Sequence, residues 1–345
     1  MAYRIDPLTD ARWLSYLRTN DASSVFHAPQ WLRALKVTYA YEPFVLTSSS
    51  SGRNLEDGLV FCEVKSWLTG RRLVSLPFSD HCQPLASCKE RLDCLLKDLS
   101  GEVMEGNWKY LELRPLQLDH NDRFGLTKSQ SFCSHVLDLR PGLDALFRGF
   151  NKSSVQRVIR RAERQRLSYE DGQSDELLMK FYKLLTMTRR RHGLPPPPIA
   201  WFRNLLRHMG DMISIRVASM DERPVASILT LAYKHTMVYK YGGSDTRFHN
   251  LGGMHFLFWK TIQESTERGF EEFDLGRSDL DNPGLITFKD RWGATRSPLS
   301  YYRYPALHSQ NETDDSKMRL AKSLFARLPD SILLLAGRML YRHLG

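Results

Sequence analysis

Hydrophobic positions in the first 140 residues change period several times. Short β-rich runs occur between residues 44 and 77, whereas leucines recur at helical intervals between residues 88 and 99. The pattern predicts strands at 44–47, 58–66, 72–77, 108–113 and 134–139, and helices at 13–38, broken at 27–29, and at 88–99. This mixture of strands and helices is typical of an α/β domain.

Pro141-Gly142 interrupts the chain, and after it the order of elements partly repeats. Helices are predicted over about 143–165, 174–192, 201–209 and 250–268, and strands at 213–220, 225–232, 237–241, 273–275 and 299–303. The repetition predicts two α/β domains with mixed sheets, over residues 1–140 and 141–305. A polar linker and a basic helical tail make up residues 306–345.

Bulk composition fits this division. The chain has 345 residues, of which 42% are hydrophobic and 26% charged, enough for two ordinary globular cores. The longest apolar stretch, residues 332–337, is far below the roughly 18 residues that cross a bilayer. The first residues contain no apolar leader segment. We therefore expect a cytoplasmic protein.

The net charge, the cysteines and the histidines limit the kinds of partner and metal site that we expect. The formal net charge is +10, which favours anionic partners such as phosphates, nucleic acid or anionic lipid. The five cysteines form no CxxC pair, and the histidines show no metal-ligand spacing, so we expect free thiols and no metal site. Walker, HExxH and GxSxG motifs are absent from the sequence.

A glycine-bearing loop lies between a predicted strand and a predicted helix in the segment 236–275. Asn250, Gly252 and Gly253 stand at the start of the helix, where free N–H groups and the helix dipole favour an anion. Glycine also lets the backbone approach a ligand closely. The alternative is that these glycines serve only helix packing.

Two further segments carry a resemblance to a known family. The loop is similar, imperfectly, to the CoA-pyrophosphate loop of GNAT acetyltransferases, usually Q/R-x-x-G-x-G/A. The run from Phe273 to Ser278, followed by 283–294, resembles the C-terminal signature of FemAB-type proteins. That family comprises peptidoglycan-bridge aminoacyltransferases and relatives associated with exopolysaccharide genes. Segments 239–245, 151–167 and 76–80 also resemble it, so the resemblance touches most of residues 20–305.

The resemblance implies two tandem GNAT-like domains and transfer of an acyl or aminoacyl group to an amine. Lys289, which with Phe288 matches the family's Phe-Lys motif, is expected to stabilise a developing oxyanion or to hold a substrate phosphate. Asp80 is the candidate acceptor for the proton of the amine; the alternative is a turn-capping aspartate. Asp274 and Arg277 are candidate substrate contacts or a structural ion pair. Tyr241 lies in the matching segment 239–245 and is a further candidate substrate contact.

A basic stripe runs along the helix predicted near residue 160. Arg157, Arg160 and Arg161, together with Arg164, share one helical face, and Lys152 precedes them. Guanidinium groups bind phosphate bidentately, so a lipid-linked pyrophosphate or a tRNA backbone would suit the stripe. The alternative is an ordinary solvated basic face.

The tail, residues 317–345, alternates apolar and basic positions and could be an interfacial helix, a helix packed on the body or a subunit contact. The leading hypothesis is an acyl- or aminoacyltransferase acting on an amine of a cell-envelope glycan or lipid-linked precursor. It would use acyl-CoA or aminoacyl-tRNA as co-substrate, bind no cofactor tightly, and touch an anionic membrane peripherally. The alternatives are an acyl-CoA-dependent N-acetyltransferase of exopolysaccharide biosynthesis and a non-catalytic GNAT-like scaffold.

Overall fold

The computed structural model describes residues 2–118, 125–306 and 323–345. The chain divides into two compact units. Unit one comprises Met1–Ser131, Leu299–Thr313 and Arg338–Gly345, and unit two comprises Phe132–Pro298 and Asp314–Gly337. Each unit therefore contains segments that are distant in sequence.

Among its described residues, unit one contains strands of mixed pairing and three α-helices that lie wholly within it. Its strands are β1 Tyr3–Ile5, β2 Glu42–Thr47, β3 Asp57–Ser66, β4 Gly70–Ser75, β5 Leu85–Ala86 and β6 Tyr110–Leu113, and its helices are α1 Ala11–Thr19, α2 Pro29–Tyr39 and α3 Lys89–Glu105. The strands β1 to β4 pair antiparallel in sequence order, and β6 pairs parallel with β4. Pro29 occupies the first turn of α2, where its missing N–H costs nothing.

Unit two likewise contains strands of mixed pairing and helices. Its strands are β7 Thr127–Asp138 from Phe132 onward, β8 Ser168–Gly172, β9 Ile213–Met220, β10 Arg223–Tyr233, β11 Thr236–Ser244 and β12 Glu272–Asp279, in the order β7-β12-β11-β10-β9-β8. Its helices are α4 Leu143–Gly149, α5 Arg157–Arg164, α6 Asp175–Arg191, α7 Ile199–Met209, α8 Gly253–Glu267 and α9 Pro283–Asp290. All neighbours pair antiparallel except β11 and β12, which are parallel.

Most predicted elements of unit two are observed, although β8 and α9 were not predicted from the sequence. The helical segment predicted over 143–165 is two helices, α4 and α5, separated by a π-helical turn at Lys152–Gln156. The break has a local cause, because the Asn151 side chain accepts a hydrogen bond from the N–H of Ser154 and starts a new helix there.

An ion pair between Arg216 and Glu264 fixes helix α8 on the sheet. Arg216 of β9 is fully buried and donates two hydrogen bonds, of 3.1 and 3.0 Å, to the Glu264 carboxylate of α8. The Tyr169 hydroxyl donates to the same carboxylate at 2.5 Å. Because breaking a buried ion pair leaves an uncompensated charge, these contacts hold α8 firmly in place.

Strand β13, Thr295–Tyr304, contributes its residues from Leu299 onward to unit one, where Tyr302 to Tyr304 pair antiparallel with β6. The predicted linker and the start of the predicted tail lie outside the described residues. The last helix, α10, is Asp330–Leu344. No helix among the described residues is long and apolar enough to cross a membrane.

Candidate functional site

The sheet of unit two opens between its two parallel strands. β11 and β12 pair only from Thr236 to Val238, opposite Glu272 to Asp274, although β11 continues to Ser244 and β12 to Asp279. On its other side β12 has an irregular register with β7 between Asp274 and Arg277. The pairing between β11 and β12 therefore ends at Val238, and the two strands diverge beyond it.

Two charged side chains hold the irregular part of β12. The buried ammonium of Lys289 donates to the carbonyl oxygens of Gly276, at 2.8 Å, and Arg277, at 3.1 Å. The Asp274 carboxylate accepts from the N–H of Gly276 at 2.7 Å. Gly276 has a φ of +73°, a conformation that favours glycine. Lys289 and Asp274 thus fix the backbone beside the opening.

A cavity of about 250 Å³ lies at the N-terminus of α8. It is lined by Val225, Ala226, Ser244, Phe248, His249, Gly252, Gly253, Met254, His255 and Phe288. The first helical turn carries no acidic residue, and Gly252 at the cap position provides no side-chain hydrogen bond. The first N–H groups of α8 and the positive end of its dipole are therefore available to an anion.

Crowding explains both glycines at this helix start. Gly252 has a φ of +76°, and a Cβ there would lie 2.8 Å from Cγ1 of Val158 on α5. A Cβ on Gly253 would lie 2.9 Å from Cβ of Ala226 on β10. The glycines consequently allow α8 to begin in close contact with α5 and β10. The predicted packing role and the predicted anion role are compatible.

Ser244 and His249 line the cavity, although neither was predicted as a site residue. Ser244 Oγ lies 2.9 Å from Nε2 of His249, and the N–H of Ser244 donates to Thr188 at 3.0 Å. Burial, and then the charge of Arg191, lower the pKa of His249. Both residues flank the glycine loop in sequence, and that proximity was the available signal.

His255, also missed, lies on the first turn of α8 with its ring stacked on Trp292. Burial, and then the positive charge of Arg161, lower the pKa of His255 to about 4. The imidazole is therefore neutral at pH 7, and positive charge at the cavity comes from arginines and the helix dipole.

The predicted basic stripe lies on α5, which packs against α8. Lys152 and the arginines of α5 are exposed, and the Arg160 guanidinium lies 5.3 Å from the centre of the Phe147 ring. Val158, on the same helix, is the residue that crowds Gly252. The influence of Arg161 on His255 shows that the stripe reaches the electrostatic environment of the cavity.

The other predicted residues are distributed as follows. Phe288 lines the cavity, whereas Asn250 is exposed just before it. The Tyr241 hydroxyl accepts from Nε1 of Trp201 at 3.0 Å, and the Arg277 guanidinium lies 4.2 Å from the centre of the Phe132 ring. Asp80 belongs to unit one, where its backbone carbonyl accepts from the Tyr301 hydroxyl at 2.7 Å.

A buried histidine anchors the end of α9. Nε2 of His135 on β7 lies 3.1 Å from Oδ1 of Asp290, next to Lys289. Burial lowers the pKa of His135, although its bond to Asp290 acts in the opposite direction. Among the described residues no group of three or more His, Cys, Asp or Glu side chains is placed to hold a metal ion.

Comparisons with known proteins agree with this geometry. Residues 150–289 match the sequence model of an acetyltransferase (GNAT) domain. No protein of curated function matches the chain. FemX has 12% sequence identity and a TM-score of 0.68, with 93% of this chain and 100% of FemX covered.

Two other solved structures have lower TM-scores. L-PGS from Bacillus licheniformis has 16% identity and a TM-score of 0.55, with 94% of this chain and 99% of that chain covered. A tandem GNAT protein from the clavulanic acid biosynthesis pathway has 12% identity and a TM-score of 0.56, with 90% and 99% covered. Identities this low establish the fold and not the substrate.

The domain match assigns residues 150–289 to an acetyltransferase (GNAT) domain, which supports the predicted acyltransferase class, and the solved structures share the fold of the chain. Its fold is FemAB-like, because the likeness to FemX extends over nearly the whole chain. The predicted α/β fold with two tandem GNAT-like domains is therefore confirmed, as is the predicted enzyme class.

Proposed function

We propose that this protein transfers an acyl or aminoacyl group from a phosphate-bearing donor to an amine of a cell-envelope glycan or lipid-linked precursor. The observation that carries the proposal is the cavity at the N-terminus of α8, which adjoins Ser244 at the end of β11, where that strand no longer pairs with β12. Phosphate groups of the donor would bind to the free N–H groups of Gly253, Met254 and His255.

The donor's acyl end would then extend along β11 into the opening. Beyond Val238 β11 no longer pairs with β12, so the space beside this part of the strand could hold an extended donor arm. Gly242 and Gly243 lie on this stretch, and a Cβ on Gly243 would lie 2.5 Å from the backbone of Leu184 on α6. Gly243 therefore allows α6 to pack closely against β11, and α6 would form one side of the donor path.

In the transfer itself the amine nitrogen attacks the donor's carbonyl carbon. A C–N bond forms, the bond from the carbonyl carbon to the sulfur or oxygen of the donor breaks, and the amine loses a proton. Asp80, which the sequence predicts as the acceptor of this proton, stays a prediction. Lys289 either acts on the developing oxyanion or holds β12 in the shape that the reaction requires, and its two bonds to backbone carbonyls favour the second role.

Charge and structural likeness support an anionic envelope acceptor. The net charge of +10 and the exposed arginines of α5 favour an acceptor that carries phosphate or carboxylate groups. FemX and two structures named for lysylphosphatidylglycerol synthetase or L-PGS share the fold. A cytoplasmic enzyme in peripheral contact with an anionic membrane would meet such an acceptor.

A second candidate is an acyl-CoA-dependent N-acetyltransferase of exopolysaccharide biosynthesis. The match of residues 150–289 to an acetyltransferase (GNAT) domain favours it specifically. The two candidates share the site. The first can use acyl-CoA or aminoacyl-tRNA as the donor, whereas the second uses acyl-CoA only.

Donor binding separates these candidates. Thermal unfolding of the full chain is followed with acetyl-CoA, longer acyl-CoAs and aminoacyl-tRNA, each beside its deacylated form. A ligand at one hundred times its Kd stabilises the protein by about 2.7 kcal/mol. Stabilisation by aminoacyl-tRNA selects aminoacyl transfer and so the first candidate. Stabilisation by acyl-CoA alone excludes aminoacyl transfer and is the result that the second candidate requires. If neither class shifts the melting temperature, the catalytic proposal is wrong and a non-catalytic scaffold is the better account.

A further inference from the structure

Unit one presents an exposed apolar surface that the acyl-transfer site does not use. The turn between β3 and β4 carries Trp67, 86% exposed, and Leu68, 52% exposed. The last part of α10 adds Met339, 60% exposed, and Leu344, 55% exposed. We name these four residues the apolar surface. An indole that projects almost wholly into water is unusual, since tryptophan is highly buried on average.

The turn and the helix are joined by His343. Its Nδ1 lies 2.9 Å from the hydroxyl oxygen of Ser66, and its ring packs edge-on against Trp67 with 5.4 Å between centres. The carbonyl oxygen of His343 accepts hydrogen bonds from the Thr69 hydroxyl, at 3.0 Å, and from the buried guanidinium of Arg72, at 2.8 Å. The apolar surface is therefore built on a fixed scaffold.

Basic side chains accompany the apolar surface. Arg338 and Arg342 are exposed and lie one turn apart on α10, before and after Met339. Arg342 follows Met339 by three residues, so the two side chains lie on the same side of the helix. Lys65 is exposed two residues before Trp67, and its ammonium lies 3.2 Å from the Glu63 carboxylate. Within residues 338–345 no acidic side chain is present. The exposed charge next to the apolar residues of the helix is positive.

We propose that the apolar surface and its two arginines bind the surface of an anionic phospholipid bilayer. The indole ring prefers the boundary between headgroups and acyl chains, and a neighbouring methionine and leucines add apolar area that can enter the same layer. Each arginine near an anionic membrane strengthens binding by roughly fivefold. A second copy of the chain would bring the same arginines together, and the like charges would oppose that contact.

This inference does not depend on acyl transfer, because the binding is measured without donor or acceptor. The full chain is sedimented with vesicles of phosphatidylcholine alone and of equal parts phosphatidylcholine and phosphatidylglycerol. We expect binding to the anionic vesicles, little binding to the neutral ones, and a steep decrease when ionic strength rises from about 0.05 to about 0.5 M.

Two double variants test the two parts of the surface. Trp67→Ser with Met339→Ser, and separately Arg338→Gln with Arg342→Gln, should each lower partitioning onto anionic vesicles by about tenfold or more. The matched controls are Met179→Ser on α6, which is 52% exposed, and Arg203→Gln with Arg207→Gln on α7, both exposed. The controls should bind as the wild type does. All variants change exposed side chains, so melting temperatures should stay close to that of the wild type.

Several outcomes overturn the proposal. The proposal is wrong if the wild type does not bind anionic vesicles at low salt. It is also wrong if both vesicle types bind equally and binding is unchanged in both double variants. Sedimentation velocity provides the third: if the wild type is a dimer that the Trp67→Ser and Met339→Ser changes dissociate, and vesicles do not bind, the apolar surface is a contact between copies.

Discussion

The ammonium of Lys289 lies 2.8 Å from the carbonyl oxygen of Gly276, so a buried cation holds β12 at the point where it departs from regular pairing. The same residue was expected from the sequence to act on substrate. The two roles can be separated by experiment. A lysine that holds β12 in place affects stability, whereas one that stabilises the oxyanion affects the chemical step.

Lys289→Met removes the charge and both hydrogen bonds while keeping much of the side-chain length. We expect the free energy of unfolding to fall by about 1–3 kcal/mol, because two buried carbonyl groups lose their donor. Activity should fall by at least tenfold through the disturbed β12. Thermal denaturation and steady-state kinetics measure the two effects, and Lys289→Arg should restore part of both. Wild-type stability with a loss of kcat alone would instead indicate direct action on the oxyanion.

Gly252→Ala should weaken both the fold and the donor site. The substitution strains a backbone with positive φ and places a Cβ 2.8 Å from Val158. Gly269→Ala is the matched control, since Gly269 has a φ of +78° and no atom within 4 Å of the added Cβ. We expect Gly252→Ala to cost about 1–2 kcal/mol more than the control in chemical denaturation. Equal costs would mean that the contact between α5 and α8 is not tight.

His255 should make stability depend on pH. Its pKa is about 4 in the folded protein and about 6.5 when unfolded, so the unfolded chain binds the proton more readily. Stability is therefore lost as pH falls from about 6.5 towards 4. His255→Phe keeps an aromatic ring beside Trp292 and should lose less stability over that range. Parallel decreases in melting temperature for the wild type and the variant would show that His255 contributes nothing to acid sensitivity.

Arg161 should influence both His255 and the donor. Removing its charge by Arg161→Gln should raise the pKa of His255, measured by the imidazole chemical shift during a pH titration. Donor affinity should fall by roughly two- to fivefold if the arginine attracts phosphate. Arg203→Gln, on exposed α7, controls for the change in net charge. An unchanged His255 titration would place Arg161 away from the cavity.

Local patterns predicted much of the fold. The hairpin of β9 and β10, the helix that begins after Asn250 and the alternation of strands and helices are all encoded in neighbouring residues. The pairing of β13 with β6 is not encoded in neighbouring residues, because Tyr302 and Leu113 are separated by almost two hundred residues of chain. Spacing along one segment contains no information about such a partner.

The candidate site was only partly predictable for a similar reason. The glycine loop is a local motif, and the cavity lies where the loop suggested. The direction of a long side chain is set by its tertiary surroundings, so the sequence did not show that Lys289 turns into β12 or that His255 stacks on Trp292. Ser244 and His249 lie six residues and one residue before Asn250, and no side-chain pattern in the sequence marked either of them.

The measurement that tests the central claim most directly is donor titration of an Asn250→Glu variant by calorimetry. Asn250 is exposed just before α8, so a carboxylate there can take the place of the donor's phosphate at the helix N-terminus without harming the fold. Asn250→Gln changes size without adding charge and is the control. We predict that the wild type binds acetyl-CoA or aminoacyl-tRNA, that Asn250→Glu weakens that binding by about tenfold or more, and that Asn250→Gln stays within about threefold. Equally tight binding by Asn250→Glu, or no binding of either donor by the wild type, would contradict the assignment of the donor site.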